Sequence, residues 1–292
     1  MTVPPPDGSR DRRIEDPSNL WLIHPLGRLL LPIAVARGIS ANAVSIAGLT
    51  LGTGAALAYA RFADWRFALI GLMLSIGWLV ADGLDGMVAR ATGTASPLGR
   101  MLDGLCDHGV FLLIYVALAI VWGTPAGWAL AFVAGGLHAV QSSLFEGERT
   151  RFHRRAKGVA LVAAPPAPAA SPLVRLYDHV AGIPDRLAMA FEQQLAASPD
   201  PVATGARYAR AAVAPMRLLS LETANVRIFM VFVACMAGDP RLFWWFEIVP
   251  LTAILLAGLA WHRRVERAFL SSVISSAPAE APARYLVKEQ GQ

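Results

Sequence analysis

Charge is scarce in this chain, and cysteine is scarcer. Charged residues fill 16% of 292 positions, against about 25% in an ordinary soluble domain. Hydrophobic residues fill 55%, and the mean hydropathy is +0.47. That balance excludes a typical soluble domain and points to an integral membrane protein. The two cysteines, Cys106 and Cys235, lie far apart in apolar segments. They read as small buried hydrophobes, and neither a disulfide framework nor a thiolate metal site is expected. Also missing are an internal repeat, a nucleotide-binding glycine loop and the interleaving of basic and aromatic residues that marks a nucleic-acid surface, so no nucleic-acid partner is expected. Residues 1–19 (MTVPPPDGSRDRRIEDPSN) are polar and proline-rich. No apolar core with a cleavage site follows a short basic start, which argues against a cleaved signal peptide and for a disordered tail.

What the chain does have is long apolar runs. Residues 20–38 mix leucines with Trp21, Arg28 and Arg37 and are interrupted by Pro25 and Pro32, the pattern of an amphipathic helix lying in the membrane interface. Six spans are then expected, at about 42–60, 65–88, 99–122, 128–145, 219–237 and 242–261, each near the 20 residues a bilayer core requires. The first carries Gly48, Gly52 and Gly54, which would let another helix approach closely. The fold class is therefore an all-α integral membrane protein of six transmembrane helices with an N-terminal interfacial helix. Between the fourth and fifth spans, residues 148–218 read as a cytoplasmic insertion. It has a basic start, an Ala/Pro linker and one or two helices with Leu173, Leu176, Val180, Leu187, Ala190 and Phe191 on a common apolar face. Residues 263–292 form a C-terminal tail. Alternating the loops puts 22 of the 26 Lys and Arg residues on one side, so both termini are expected in the cytoplasm.

One stretch breaks the apolar pattern. Asp82, Asp85, Asp103 and Asp107 stand among hydrophobic runs, where each charge costs about 2.5–3.5 kcal/mol at mid-helix. On helices, Asp82 and Asp85 are at i and i+3, and Asp103 and Asp107 are at i and i+4, so each pair shares a face. The connector between them contains Gly93, Ser96, Pro97 and Gly99; this turn chemistry would bring the two helices back antiparallel and converge the carboxylates at their cytoplasmic ends. Alone, four carboxylates would repel and take up protons. Oxygen-preferring divalent cations would keep them ionised, and such cations usually also engage substrate phosphates. Gly83, Gly86 and Ala89 leave space beside them, and Arg90 could neutralise a phosphate.

These residues have the form D-x2-D-G-x2-A-R-x8-G-x3-D-x3-D, with Asp82, Asp85, Gly86, Ala89, Arg90, Gly99, Asp103 and Asp107 at every fixed position. The pattern resembles the signature of the CDP-alcohol phosphotransferase family, also called CDP-alcohol phosphatidyltransferases, six-span membrane enzymes of phospholipid synthesis. The signature covers 26 residues, and the span layout extends the resemblance over most of the chain. One departure stands in the first span: where the family tends to have Pro-Asn-x-x-Thr, this chain has Ala41, Asn42 and Ser45.

The resemblance implies that Asp82, Asp85 and Asp103 hold a pair of Mg2+ or Mn2+ ions, with Asp107 contributing to the second ion and serving as general base. It implies that Gly86, Ala89 and Gly99 admit a cytidine nucleotide and that Arg90 contacts its phosphates. Transfer of a phosphatidyl group from CDP-diacylglycerol to a small alcohol, with release of CMP, is the favoured reaction. The alternatives are transfer of a phospho-head group from CDP-choline or CDP-ethanolamine to diacylglycerol and, as a different class, a carboxylate-lined cation transporter. For the acceptor, Arg151, Arg154 and Arg227 are candidates; the competing reading pairs Arg227 with Glu222. His108 directly follows Asp107, as in relatives that use diacylglycerol as acceptor, and His138, Gln141 and Ser142 near the end of the fourth span could face the cavity. Expected partners are the CDP-alcohol, the alcohol acceptor and membrane lipids, and the family allows a homodimer. The expected location is the cytoplasmic membrane, with the site facing the cytoplasm.

Overall fold

The computed structural model describes residues 11–95, 97–161 and 183–275, and every regular element among them is helical. The tail 1–10, the residues 276–292 and most of the Ala/Pro linker, with Leu173, Leu176 and Val180, lie outside the described residues, as does the side chain of Leu187. After a π-helical turn at Asn19–Ile23 come α1 (His24–Ala36), α2 (Ala41–Tyr59), α3 (Trp65–Ala91), α4 (Pro97–Trp122) and α5 (Pro125–Ala156). Then follow α6 (Ile183–Ala196), α7 (Pro201–Leu219), a 3-10 turn at Ser220–Glu222, α8 (Ala224–Met236), α9 (Arg241–Phe246), a π-helical turn at Glu247–Leu251 and α10 (Thr252–Ser275).

Local chemistry sets the helix ends. Ser40, Asp64, Thr124 and Asp200 each accept a backbone N–H of the first turn of α2, α3, α5 and α7, which satisfies donors that a helix start leaves unpaired. Proline at the first turn of α5 and α7 loses nothing there. Gly93, with φ of +67°, ends α3 and starts the turn towards α4, a conformation that a residue with a Cβ rarely takes.

Helices Trp65–Ala91, Ala41–Tyr59, Pro125–Ala156 and the run Arg241–Ser271 are long and apolar enough to cross a membrane, and so is Asn19–Ala36. The pair Pro201–Glu222 and Ala224–Met236, bent by 42°, makes a sixth candidate when counted as one span. The chain is thus an all-α integral membrane protein. In α4 the apolar stretch is Cys106–Trp122. Two expectations are corrected. Pro25 and Pro32 do not interrupt the N-terminal segment: Pro25 sits in the first turn of α1 and Pro32 inside it, since the loss of one helical hydrogen bond does not break a helix supported by neighbours. Residues 11–18 are not a disordered tail, because Ile14 and Asp16 are buried and the Arg217 Nε donates to the Arg13 carbonyl at 2.7 Å.

Two cores result. The first gathers Tyr59, Trp78, Phe111, Tyr115, Val231 and Trp244 from α2, α3, α4, α8 and α9. Its close packing uses the glycines of α2: a Cβ on Gly52 would overlap Val110 of α4, and one on Gly48 would come within 3.2 Å of Ala81 of α3. The second core gathers Phe152, Phe191, Tyr208, Met216 and Phe269, joining the far half of α5 to α6, α7 and α10. α5 runs on from the expected fourth span to Ala156, so the basic segment 149–155 is helix, and its Phe152 belongs to this second core.

Candidate active site

The turn at Gly93 folds α4 back beside the helices that carry the first half of the signature. Asp82 from α3 and Asp107 from α4 line one cavity of about 550 Å³, together with Gly83 and Gly104. Asp85, one turn past Asp82, is buried, and its Oδ2 accepts the Ser45 hydroxyl of α2 at 2.6 Å. Such a charge-assisted bond fixes the carboxylate. The guanidinium of Arg90 lies over Gly86, 3.2 Å from where a Cβ would stand; any larger residue there would displace it. Asp103 stands one turn before Asp107 on α4, but its side chain lies outside the described residues, as does Gly99 apart from its backbone. Ala89 sits on α3, one residue before Arg90.

The other residues that line the cavity come from the N-terminal segment (Asn19, His24), from α5 (His138, Ser142, Glu146, Arg149) and from the start of α8 (Glu222, Thr223, Asn225, Arg227). His108, Phe111 and His138 are shared with an adjoining groove of about 400 Å³ between α4 and α5. Leu112, Val116, Trp128, Phe132 and Ala139 complete it, so that the groove is almost wholly apolar. A polar chamber thus continues into an apolar channel.

The arginines chosen from sequence do not gather here. Arg151 pairs with Glu148 at 2.8 Å and Arg154 with Glu192 at 2.6 Å, and neither lines the cavity. Arg227 does line it, but its guanidinium is consumed. It is fully buried, its Nη2 donates to Glu222 Oε2 at 2.7 Å and to Gln141 Oε1 at 3.1 Å, its Nε to the Glu222 carbonyl at 3.2 Å, and its Nη1 to Glu247. The competing reading of Arg227 as a partner of Glu222 is the one the structure contains. Sequence reasoning did not find the hydrogen bond of Ser45 to Asp85, nor Glu222 as a cavity residue. Glu247 was visible only as an acid in the last span, and its partners lie on α5 and α8.

A second group of ligand-type side chains lies away from this cavity. Glu148, His262 and Glu266 are buried, with one potential ligand atom from each within 4.8 Å of the others. Guanidinium groups already hold both acids. Glu148 Oε1 accepts from Arg151 and Arg263 at 2.8 Å each and its Oε2 pairs with His262 Nδ1 at 2.9 Å. Glu266 Oε2 accepts from Arg263 at 2.6 Å and its Oε1 from Arg155. A cation would have to displace other cations, so this group fits a metal poorly and an ion-pair network well.

Fold and site together place carboxylates of two membrane helices in one cavity beside an apolar groove. Residues 39–169 match the family model described as CDP-alcohol phosphatidyltransferase. Among curated proteins, Cholinephosphotransferase 1 of Gallus gallus is 33% identical over 111 residues, 37% of this chain and 32% of that protein. Ethanolaminephosphotransferase 1 of Pongo abelii is 22% identical over 132 residues, 40% of this chain and 33% of that one. A CDP-diacylglycerol–serine O-phosphatidyltransferase of Mycobacterium bovis is 29% identical over 102 residues, 33% of this chain and 35% of that one. The chain therefore spans about a third of the length of these relatives. No solved structure matches it.

Proposed function

We propose that the chain catalyses transfer of a phosphate-bearing group from a CDP-alcohol to an alcohol, releasing CMP, in phospholipid synthesis. The observation that carries this reading is the joint exposure of Asp82 and Asp107 to one cavity that continues into an apolar groove. A lipid substrate requires both compartments: the groove takes an acyl chain, and the chamber takes the phosphates and head group. CDP-diacylglycerol with a small alcohol acceptor is the first assignment. The names of the relatives from Gallus gallus and Pongo abelii favour a second, in which CDP-choline or CDP-ethanolamine gives its phospho-head group to diacylglycerol.

The donor set fits divalent cations: all-oxygen carboxylates in a membrane helix pair, beside small residues and one arginine. Asp82, Asp85, Asp103 and Asp107 would hold the pair of Mg2+ or Mn2+ ions. When bound, these supply positive charge to the phosphoryl oxygens. Ser45 holds Asp85 in place through its hydroxyl. Gly86 keeps the wall beside Arg90 low enough for a nucleotide phosphate to reach the guanidinium. Asp107 takes the proton of the acceptor hydroxyl on its carboxylate. The alcohol oxygen then bonds to the phosphorus distal to cytidine, the bond from that phosphorus to the bridging oxygen breaks, and CMP leaves with the electron pair. The site faces the cytoplasm in this reading, where both termini and the water-soluble substrates would be found.

The test is CMP release by the full chain in detergent with Mg2+ or Mn2+ and CDP-diacylglycerol, adding serine, glycerol 3-phosphate, inositol and inositol 1-phosphate in turn. Release that depends on one of them fixes both reaction and acceptor. Release only from CDP-choline or CDP-ethanolamine with diacylglycerol selects the second assignment. Silence in every combination overturns the transferase.

A further inference from the structure

We propose that Glu222 and the acids around it seat the ammonium group of an amine-bearing head group, so that the substrate alcohol is an amino alcohol. The inference rests on the transferase reading and narrows it. Glu222 lines the cavity at the bend between α7 and α8, its side chain is fully buried, and its Oε1 has no hydrogen-bond partner. Its other oxygen shares one guanidinium, that of Arg227, with Glu247. Glu247 also has His138 Nδ1 at 3.5 Å, so the surplus negative charge of two carboxylates on one arginine falls on Glu222, and the unpartnered oxygen is on this residue, which reaches the cavity.

The neighbouring chemistry adds to that surplus. Asp16 is buried, and its carboxylate accepts from neutral donors: the Ser18 amide at 2.7 Å, the Ser18 hydroxyl, and Thr223 Oγ1 and Asn225 Nδ2 at 3.3 Å each. Thr223 and Asn225 line the cavity beside Glu222. Among the described residues, the remaining arginine of the lining, Arg149, is 3.1 Å from Glu146. A buried carboxylate oxygen without a cation is costly, as a broken buried ion pair is. A monovalent cation with N–H or polarised C–H groups removes that cost, whereas an anionic acceptor would add to it. A divalent ion suits the place less, since Arg227 already occupies the shared carboxylates. The ammonium can arrive from two sources: on the acceptor, as in serine, or on the donor, as in CDP-ethanolamine or CDP-choline.

The experiment uses the full chain in detergent with saturating Mg2+ and reads CMP release. CDP-diacylglycerol is paired with serine, with glycerate (which replaces the amine by a hydroxyl), with glycerol 3-phosphate and with inositol; diacylglycerol is paired with CDP-ethanolamine and with CDP-choline. Turnover is expected only where an amine is present, and the productive arm identifies its source. Glu222→Gln is expected to raise KM for the amine-bearing substrate by on the order of 10-fold or more, as for a hydrogen bond to a charged group. KM for the co-substrate should stay within about twofold of wild type, and Glu222→Asp, which keeps the charge, should recover part of the loss. Thermal midpoints of both variants separate a folding defect from a binding one. Turnover with glycerate, glycerol 3-phosphate or inositol to match serine, or a Glu222→Gln variant with both KM values unchanged, overturns the ammonium seat while leaving the transferase intact. Silence in all arms overturns both.

Discussion

Two buried clusters of acids stand in this molecule, and their charge balance separates them. In the second core, the carboxylates of Glu148, Glu192 and Glu266 meet Arg151, Arg154, Arg155, Arg263 and His262. Cations there match or exceed acids, and each carboxylate is held by at least two partners. In the first region, Asp82, Asp85 and Asp107 come together with Ser45 as the hydroxyl donor, and Glu222 and Glu247 divide one arginine. In the second core every one of these carboxylates is paired without a ligand. At the cavity, Glu222 Oε1 has no hydrogen-bond partner, and the location of a site follows from such a deficit more than from the number of acids. Among the described residues, ligand-type geometry alone would have chosen Glu148, His262 and Glu266.

The largest expected break in this comparison is Asp107→Asn. It removes the proposed base and one ligand oxygen charge, so CMP release should fall by about 10²–10⁴-fold, the usual contribution of a general base, while the thermal midpoint changes little. A variant that turns over normally would remove Asp107 from the chemistry. Next in size is Arg155→Met. Arg155 is fully buried between Glu192, at 2.7 Å from its Nε, and Glu266. Losing it takes one charged hydrogen bond from each acid, while Glu192 keeps Arg154 and Glu266 keeps Arg263; at about 1.5–3 kcal/mol for each bond, a large drop in thermal midpoint is expected. The metal requirement of the folded fraction should not change; if it does, the two clusters are not separate in function.

A smaller effect is expected at the join between α2 and α3. Ser45→Ala takes the hydroxyl from Asp85, and a hydrogen bond to a charged group contributes about 1.5–3 kcal/mol. The expected readout is a rise of about tenfold or more in the Mg2+ concentration for half-maximal CMP release, with Ser45→Thr close to wild type. Equal Mg2+ curves for wild type and Ser45→Ala would show that Asp85 needs no such support.

Periodicity and spacing made the catalytic region legible. Asp82, Asp85 and Asp107 are close in sequence, on two consecutive helices joined by a glycine turn, so helical geometry alone predicts their faces. Gly48 and Gly52 were legible for the same reason, as small residues on an apolar helix. What stayed hidden depends on contacts across long separations: Ser45 to Asp85 spans 40 residues, Arg227 to His138 spans 89 and Glu148 to Arg263 spans 115. Arg151 and Arg154 looked like head-group ligands because a basic run after a span is also what an exposed phosphate-binding loop would show. The continuation of α5 to Ala156 turned these positions inward, where acids of α5 itself and of α6 hold them. Residues 11–18 looked disordered from polarity and proline, yet one isoleucine and one aspartate suffice to anchor them on α7 and α8.

The smallest effect tests how far the balanced cluster contributes to stability. Glu192 lies on α6, outside the candidate spans. Burial pushes its carboxyl up, but the Arg154 guanidinium, the Leu161 amide and the Arg155 guanidinium outweigh that and hold it down at about 2. The Arg154 fork reaches it at 2.6 and 2.7 Å and the amide at 2.6 Å. An unfolded glutamate titrates near 4.5, so the folded state binds fewer protons than the unfolded one between those two values. The stabilisation from Glu192 is therefore fully present above about pH 5 and is lost as the pH falls through 4.5 towards 2. Wild type should lose thermal stability over that window more steeply than Glu192→Gln, which is already less stable at pH 7 and has no proton to take up at this position. Parallel pH profiles for the two proteins would mean that Glu192 is not held ionised by its arginines. That result would also weaken the view that this cluster is closed and complete, leaving charge deficit without force as the mark that distinguishes the catalytic cavity.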